Sequence, residues 1–256
     1  MPLLQIENLT VFFGGLRAVH NFHFEIDQGQ VKGLIGPNGA GKTTIFNLIT
    51  GIHKPTEGKI IFMGSDIVGL RPDQIAARGI GRTFQNMRLW RHMTVLDHIK
   101  LARYSKLDYG LVGAFLGTPR RHNEEAESEK IAFDLMELFG IRRFADQVIT
   151  GLPYGIQRRV EMARAMAMDP KLLLLDEPTA GMNPEELGEM VSVIRRIRDE
   201  FNLAIFLIEH RMKFVMDLCE RIQTLDFGEV IAEGTPEEIR GNQKVVDAYL
   251  GKEAEI

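Results

Sequence analysis

Over the first 35 residues, apolar positions fall in short runs separated by glycine-containing turns: LLQIENLTVFF, then FHFEI, then VKGLIG. Such runs predict strands. In HNFHFEI, Phe22, Phe24 and Ile26 alternate as one strand face, which places His23 with Asn21 and Glu25 on the other, wetter face. VKGLIG is mostly apolar and ends at Gly36, as a buried strand feeding a tight loop does. TIFNLIT then predicts a helix closed by Gly51 in a C-cap-like position, and GKIIFMG another strand.

From about Thr94 to Thr150 the spacing turns helical. Thr94 and Asp97 read as a capping box for VLDHIKLARYS, and NEEAESEKIAFDLMELFG reads as a charged, then amphipathic helix ending at Gly140. Between them, LDYGLVGAFLGTPRRH is rich in glycine and apolar residues; it is either packed core of this helical block or a contact for a partner. Beyond the block come a buried strand at Leu172 to Leu175, a helix from about Glu185 to Phe201, a second buried strand AIFLI and a hairpin-like IQTLDFGEVIAEG. Thr235, Pro236 and Glu238 supply an N-cap, a proline at the first helical position and a capping-box glutamate. Strands alternating with helices imply an α/β fold with a mainly parallel sheet and the helical block inserted as a subdomain.

Composition narrows the function classes. The 256 residues suit one large α/β domain or two small ones, and 45% hydrophobic with 26% charged residues is an ordinary globular composition. A net charge of −4 argues against a nucleic-acid binder that works by bulk charge. The single cysteine, Cys219, cannot form an internal disulfide, which points to a reducing cytoplasm. No apolar stretch approaches the roughly 20 residues of a membrane span, and the opening MPLLQIE is no signal peptide. A membrane, if one matters, belongs to a partner. The seven histidines show no metal-binding spacing.

Chemistry concentrates in GPNGAGKT, which runs Gly36, Pro37, Asn38, Gly39, Ala40, Gly41, Lys42, Thr43 and is followed by Thr44. It fits G-x-x-x-x-G-K-[ST], the Walker A pattern, at every fixed position, between a strand and a helix. Backbone N–H groups around Gly39 and Gly41 can turn inward where no Cβ intervenes and wrap phosphate oxygens. The helix starting near Lys42 adds its positive dipole end. Lys42 is expected to reach the β- and γ-phosphates, and the Thr43 hydroxyl to ligate Mg²⁺.

LLLLDEPT ends a buried strand with Asp176 and Glu177. The C-terminal edge of such a strand is where α/β sheets place ligands, so Asp176 is expected in the Mg²⁺ shell. Glu177 points differently and is a candidate to accept a proton from an attacking water. AIFLIEH repeats the geometry with His210, either a γ-phosphate contact that orients the water or a satisfied loop histidine. Gln85, in GRTFQNMRLW, is a lone polar side chain where the nucleotide core meets the helical block. It is a candidate to sense Mg²⁺ or water and to move the helices.

The order phosphate loop, Gln85, LPYGIQRR, LLLLDEPT, IEH resembles the ATP-binding subunits of ABC transporters over nearly the whole chain. That resemblance implies a P-loop ATPase core with a mainly parallel sheet, an N-terminal antiparallel β-subdomain and an inserted helical subdomain. The single domain 1–256 then divides into core (1–90 and 160–256) and a helical part (91–159) carrying the signature motif. In the family this signature, usually LSGGQ, binds the γ-phosphate of ATP held by the opposite subunit, so the helix N-terminus at Gly155 is expected to serve a nucleotide in trans. Leu152 and Gly155 are kept here, while Pro153 replaces the serine, Tyr154 a glycine and Ile156 the glutamine. Asn183, in AGMNP, stands where aspartate is commoner. The resemblance also implies that Phe13 stacks on adenine, with Val19 nearby on the nucleotide.

FGGLRAV, RTFQNMRLW, IEHRMKFVM and AYLG, with the Gly-rich insertion around 107–122, resemble most the longer ATPase subunit of branched-chain amino-acid importers. The implied partners are ATP and ADP, Mg²⁺, a second ATPase subunit arranged head to tail, transmembrane permease subunits and, indirectly, an extracytoplasmic substrate-binding protein. Nucleic acid is not among them. The implied location is the cytoplasmic face of the plasma membrane. Another cargo (urea, lipid or lipopolysaccharide) is the nearest alternative; a soluble DNA-repair or ribosome-associated relative lacks support, since neither inserted coiled coils nor a second cassette is present.

Overall fold

The computed structural model describes residues 1–106 and 119–253. Most of the Gly-rich insertion around 107–122, expected as packed core of the helical block or as a partner contact, lies outside the described residues. Strands β1 (Leu4–Phe13), β2 (Leu16–Ile26), β4 (Glu57–Phe62) and β5 (Ser65–Asp66) form an antiparallel sheet in the order β2-β1-β4-β5. The second sheet holds β3 (Val31–Ile35), β6 (Ile80–Arg82), β7 (Leu172–Asp176), β8 (Ala204–Ile208), β9 (Arg221–Asp226) and β10 (Glu229–Gly234), in the order β10-β9-β3-β8-β7-β6. All its pairings are parallel except the β9–β10 hairpin.

The helices are α1 (Lys42–Ile49), α2 (Pro72–Ala77), α3 (Val95–Arg103), α4 (Pro119–Leu138), α5 (Tyr154–Met166), α6 (Pro184–Phe201), α7 (Met212–Leu218), α8 (Pro236–Arg240) and α9 (Gln243–Glu253). The two expected capping boxes form. Thr94 accepts from the Asp97 N–H while Asp97 accepts from the Thr94 N–H, each at 3.1 Å, and Thr235 and Glu238 do the same at α8. The division expected at residues 159 and 160 falls inside α5, a continuous helix that carries the helical arm back into the core.

The unbroken apolar runs of β7 and β8 have a direct cause: both sheet faces are covered. Leu172, Leu174, Phe206 and Ile208 point into a core shared with β1, β2 and α1. Leu173, Leu175, Ile205 and Leu207 point into a second core shared with the helical arm, α6 and α7. Strand side chains alternate between faces, so a strand buried on both must be apolar throughout. Because β3, β6, β7 and β8 run parallel, their C-terminal ends share one edge of the sheet. That edge receives the phosphate loop after Ile35, Gln85 after Arg82, Glu177 after Asp176 and His210 after Ile208. Among the described residues no helix is long and apolar enough to cross a membrane.

Candidate functional site

The phosphate loop leaves β3 at Gly36 and enters α1 at Gly41, both with φ in the left-handed region (148° and 104°). A Cβ on Gly36 would sit 2.0 Å from the Leu225 carbonyl oxygen, and one on Gly41 2.7 Å from that of Ala18, so neither position admits a side chain. The loop borders a cleft of about 630 Å³ lined by Asn38 to Thr44 together with Phe13, Arg17, Gln85, Glu177 and Phe227. No acid lies in the first turn of α1, leaving its dipole end unopposed for an anion. Lys42 is buried and its ammonium donates to the carbonyls of Gly36 (2.7 Å) and Pro37 (2.9 Å), so it spans its own loop.

The half-exposed ring of Phe13 stands edge-on to His53, centroids 5.1 Å apart, at the rim of the cleft. Val19 is placed otherwise than expected: it is fully buried in the core beneath the cleft, packed among strand side chains, and the neighbouring Arg17 and Ala18 form the wall. Its β-strand register, one residue inward from Ala18, decides this.

Asp176, the last residue of β7, is buried. Its Oδ2 accepts from Arg82 at 3.0 Å, its N–H donates to the Thr83 hydroxyl, and its Oδ1 is buried without a partner. Burial pushes the Asp176 carboxyl above the usual carboxylate range and the Arg82 guanidinium below its own, and the contact between them opposes both shifts. Arg82 also donates to Asn47 of α1 (2.8 Å) and to its C-cap residue Thr50 (3.0 Å), tying the helix after the phosphate loop to the acid-bearing strand. The orphaned Asp176 carboxylate oxygen and the exposed Thr43 hydroxyl are hard oxygen donors of the kind Mg²⁺ takes.

Glu177 follows in a left-handed conformation (φ 49°), which for a non-glycine residue costs about 1–2 kcal/mol. Its N–H donates to Ile208 at 2.9 Å, and this backbone turn swings the carboxylate out of the strand line. Glu177 thereby accepts from the Gln85 amide at 2.9 Å and stands 3.9 Å from His210 Nδ1. The three residues expected from separate motifs thus meet at one point beside the phosphate loop.

Besides Arg82, two contributors escaped sequence reasoning. Glu209 is fully buried and accepts from the Thr179 N–H and hydroxyl and from the N–H groups of His210 and Arg211, fixing both loops that carry the acids and the histidine. Tyr249, in α9, accepts from the Gly36 N–H at 2.9 Å, so the C-terminal helix reaches the first residue of the phosphate loop. An acid directly before the histidine in IEH was the available signal for the first; nothing local marks the second.

Gly155 lies elsewhere, at the second position of α5, whose N-cap is Pro153 and has no side-chain cap bond. A Cβ on it would be 2.9 Å from the Glu186 carboxylate of α6. Asn183 is the N-cap of α6, accepting from the Glu186 N–H at 3.0 Å while Glu186 accepts from the Asn183 N–H at 2.9 Å. Amide and aspartate both serve this role, so asparagine here keeps the helix start.

The ABC transporter family model matches residues 19–180, and that of the branched-chain amino acid ATP-binding cassette transporter matches residues 229–255. The chain is 44% identical to the high-affinity branched-chain amino acid transport ATP-binding protein LivG of Escherichia coli, over 98% of each chain. It is 41% identical to BraF of Pseudomonas aeruginosa, of the same description, again over 98% of each. A crystal structure of an ATP-binding cassette of an ABC transporter in its ADP conformation superposes with a TM-score of 0.85 at 28% identity, covering 98% of this chain and 99% of that one. With a phosphate loop, a buried metal-suited acid and a second acid beside it in the expected order, this chain belongs to the ABC transporter family as an ATP-hydrolysing, ATP-binding subunit.

Proposed function

We propose that this protein binds MgATP in the cleft at Phe13 and the phosphate loop and hydrolyses it to drive import of branched-chain amino acids. The observation that carries the chemistry is the meeting of Gln85, Glu177 and His210 beside the loop. Glu177 accepts the proton as water attacks the γ-phosphorus, ADP leaves, and phosphate departs with the new oxygen. Lys42 exchanges its carbonyl partners for β- and γ-phosphate oxygens. Thr43 and Asp176 would hold Mg²⁺, which would supply charge neutralisation at those oxygens. Gln85 and His210 orient the water. The cargo rests on the relatives, whose names specify branched-chain amino acids.

Two copies, or this chain and a second ATPase subunit, sandwich nucleotide head to tail, with Gly155 facing the partner's γ-phosphate. A cavity of about 420 Å³ where the core meets the helical arm supports permease docking. Its walls are apolar at Ile52, Phe84, Trp90 and Leu101, with Arg88 and Arg164 as cations, which suits a short amphipathic segment carrying an acid. Such a subunit sits on the cytoplasmic face of the membrane, with a substrate-binding protein on the far side. Reconstitution with the permease subunits and binding protein, followed by ATP-dependent uptake of leucine against urea as control, tests the reading. Uptake of urea alone overturns the cargo; absence of any ATPase activity overturns the site.

A further inference from the structure

The signature region departs from the family pattern at Tyr154, and the proposed function leaves that residue without a task. In α5, Tyr154, Arg158 and Glu161 fall at i, i+4 and i+7, one helix face. Arg158 and Glu161 are buried (1% and 0% exposed) and paired at 2.7 Å. Neither uses its capacity on the other alone. Arg158 donates to the carbonyls of Phe84 (2.6 Å) and Gln85 (2.5 Å), while Glu161 accepts from the Phe84 N–H at 3.2 Å. The pair therefore holds the 84–85 backbone by both its donor and its acceptor groups. Arg158 also donates to the Tyr154 hydroxyl at 3.2 Å, and the Tyr154 ring lies against Gly181, where a Cβ would be 2.9 Å from Cδ1. The side chain of Gln85, from the same clamped peptide, bonds Glu177.

We propose that Arg158 and Tyr154 are positioning residues for hydrolysis: they couple the N-terminal turn of α5, which faces the nucleotide held by the other subunit, to Gln85 and so to Glu177 of this subunit. This rests on Glu177 as the base. A shift of α5 drags the 84–85 peptide because the guanidinium fork grips both carbonyls, and it changes the pressure of Tyr154 on the Gly181 loop that follows Glu177. Where the family pattern has a glycine, the tyrosine thus supplies a side-chain link into this subunit's own catalytic cluster.

The test is a double-mutant cycle on the full chain, with MgATP turnover and fluorescent-nucleotide affinity read in parallel. Arg158→Lys keeps a charge opposite Glu161 but loses the fork. It is expected to lower kcat about tenfold, as small misplacements at a reacting centre do, with KM changed less than about twofold. Combined with Gln85→Ala it is expected to lose no more than Gln85→Ala alone. Tyr154→Phe, which deletes one hydroxyl on a half-exposed side chain, is expected to lower kcat about twofold to threefold. Losses that multiply in the cycle, or an unchanged kcat in Arg158→Lys, overturn the proposal. If Arg158→Lys does not fold, the paired Arg158→Met/Glu161→Met variant, which removes both buried charges together, replaces it. If that also fails, an unchanged kcat in Tyr154→Phe overturns the proposal. Full activity in Glu177→Gln overturns the base assignment instead, a separate outcome.

Discussion

Helices α1 and α5 both begin without a side-chain cap, and they meet anions differently. At α1 the first turn carries no acid and opens on a wide cleft rimmed by Phe13, Arg17 and Gln85. At α5 the first turn follows Pro153, and the Glu186 carboxylate of the same chain already stands against Gly155. A helix N-terminus attracts whichever negative group is nearest. The α1 terminus is thus open to an incoming phosphate, while the α5 terminus shares its dipole with an internal acid. One site is made by backbone that admits no side chain; the other is tuned by side chains around it.

The largest test of this contrast is Lys42→Ala. Removing the buried ammonium of the α1 site, with the fold intact by circular dichroism, is expected to abolish turnover and weaken MgATP binding in calorimetry. Undiminished turnover would contradict the phosphate site itself. Next, Glu177→Gln is expected to slow hydrolysis ~10²–10⁴-fold and to leave binding intact. The closed state then persists, so size-exclusion chromatography with MgATP, alone and with a second ATPase subunit, is expected to show a larger species; a monomer throughout removes the sandwich.

Matched glycine substitutions separate the two helix starts. Gly41→Ala forces a Cβ onto the Ala18 carbonyl at positive φ and is expected to lower Tm by roughly 4–8 °C, for a penalty of about 2 kcal/mol in a chain this long. Gly155→Ala meets only the movable end of Glu186 and is expected to leave Tm within about 2 °C. Equal shifts would erase the distinction. The smallest effect belongs to Glu186→Gln, which keeps the capping geometry of α6 and removes the charge facing α5. Relieving a helix-terminal charge of about 0.3–1 kcal/mol predicts MgATP-dependent dimerisation about twofold to fivefold tighter, measured by light scattering in the Glu177→Gln background. Weaker dimerisation would mean that the carboxylate supports the trans contact.

Much of the α1 site is legible in the sequence because its chemistry is local. Gly36 and Gly41 leave no room for a side chain, Lys42 and Thr43 complete the spaced pattern, and the runs ahead of Asp176 and His210 are apolar because both sheet faces are covered. Short elements are harder to read. β6 has three residues, one of them glycine, and carries too little pattern to be found, yet it delivers Arg82 and Gln85 to the site. Val19, expected at the nucleotide, lies in the core, since one residue of register separates wall from interior in β2.

Residue order therefore established an α/β fold with its phosphate loop, its two acids and its capping boxes, and resemblance to a known family added the ATPase and the altered signature. The first group depends on contacts within a few residues, where spacing is geometry. Tertiary structure decided which distant groups answer one another: Arg82 on Asp176, Gln85 on Glu177, Arg158 on the 84–85 peptide, Glu186 against Gly155 and Tyr249 on Gly36. These pairs lie far apart in the chain, and parallel strand order and helix packing bring them together, so no local pattern encodes them.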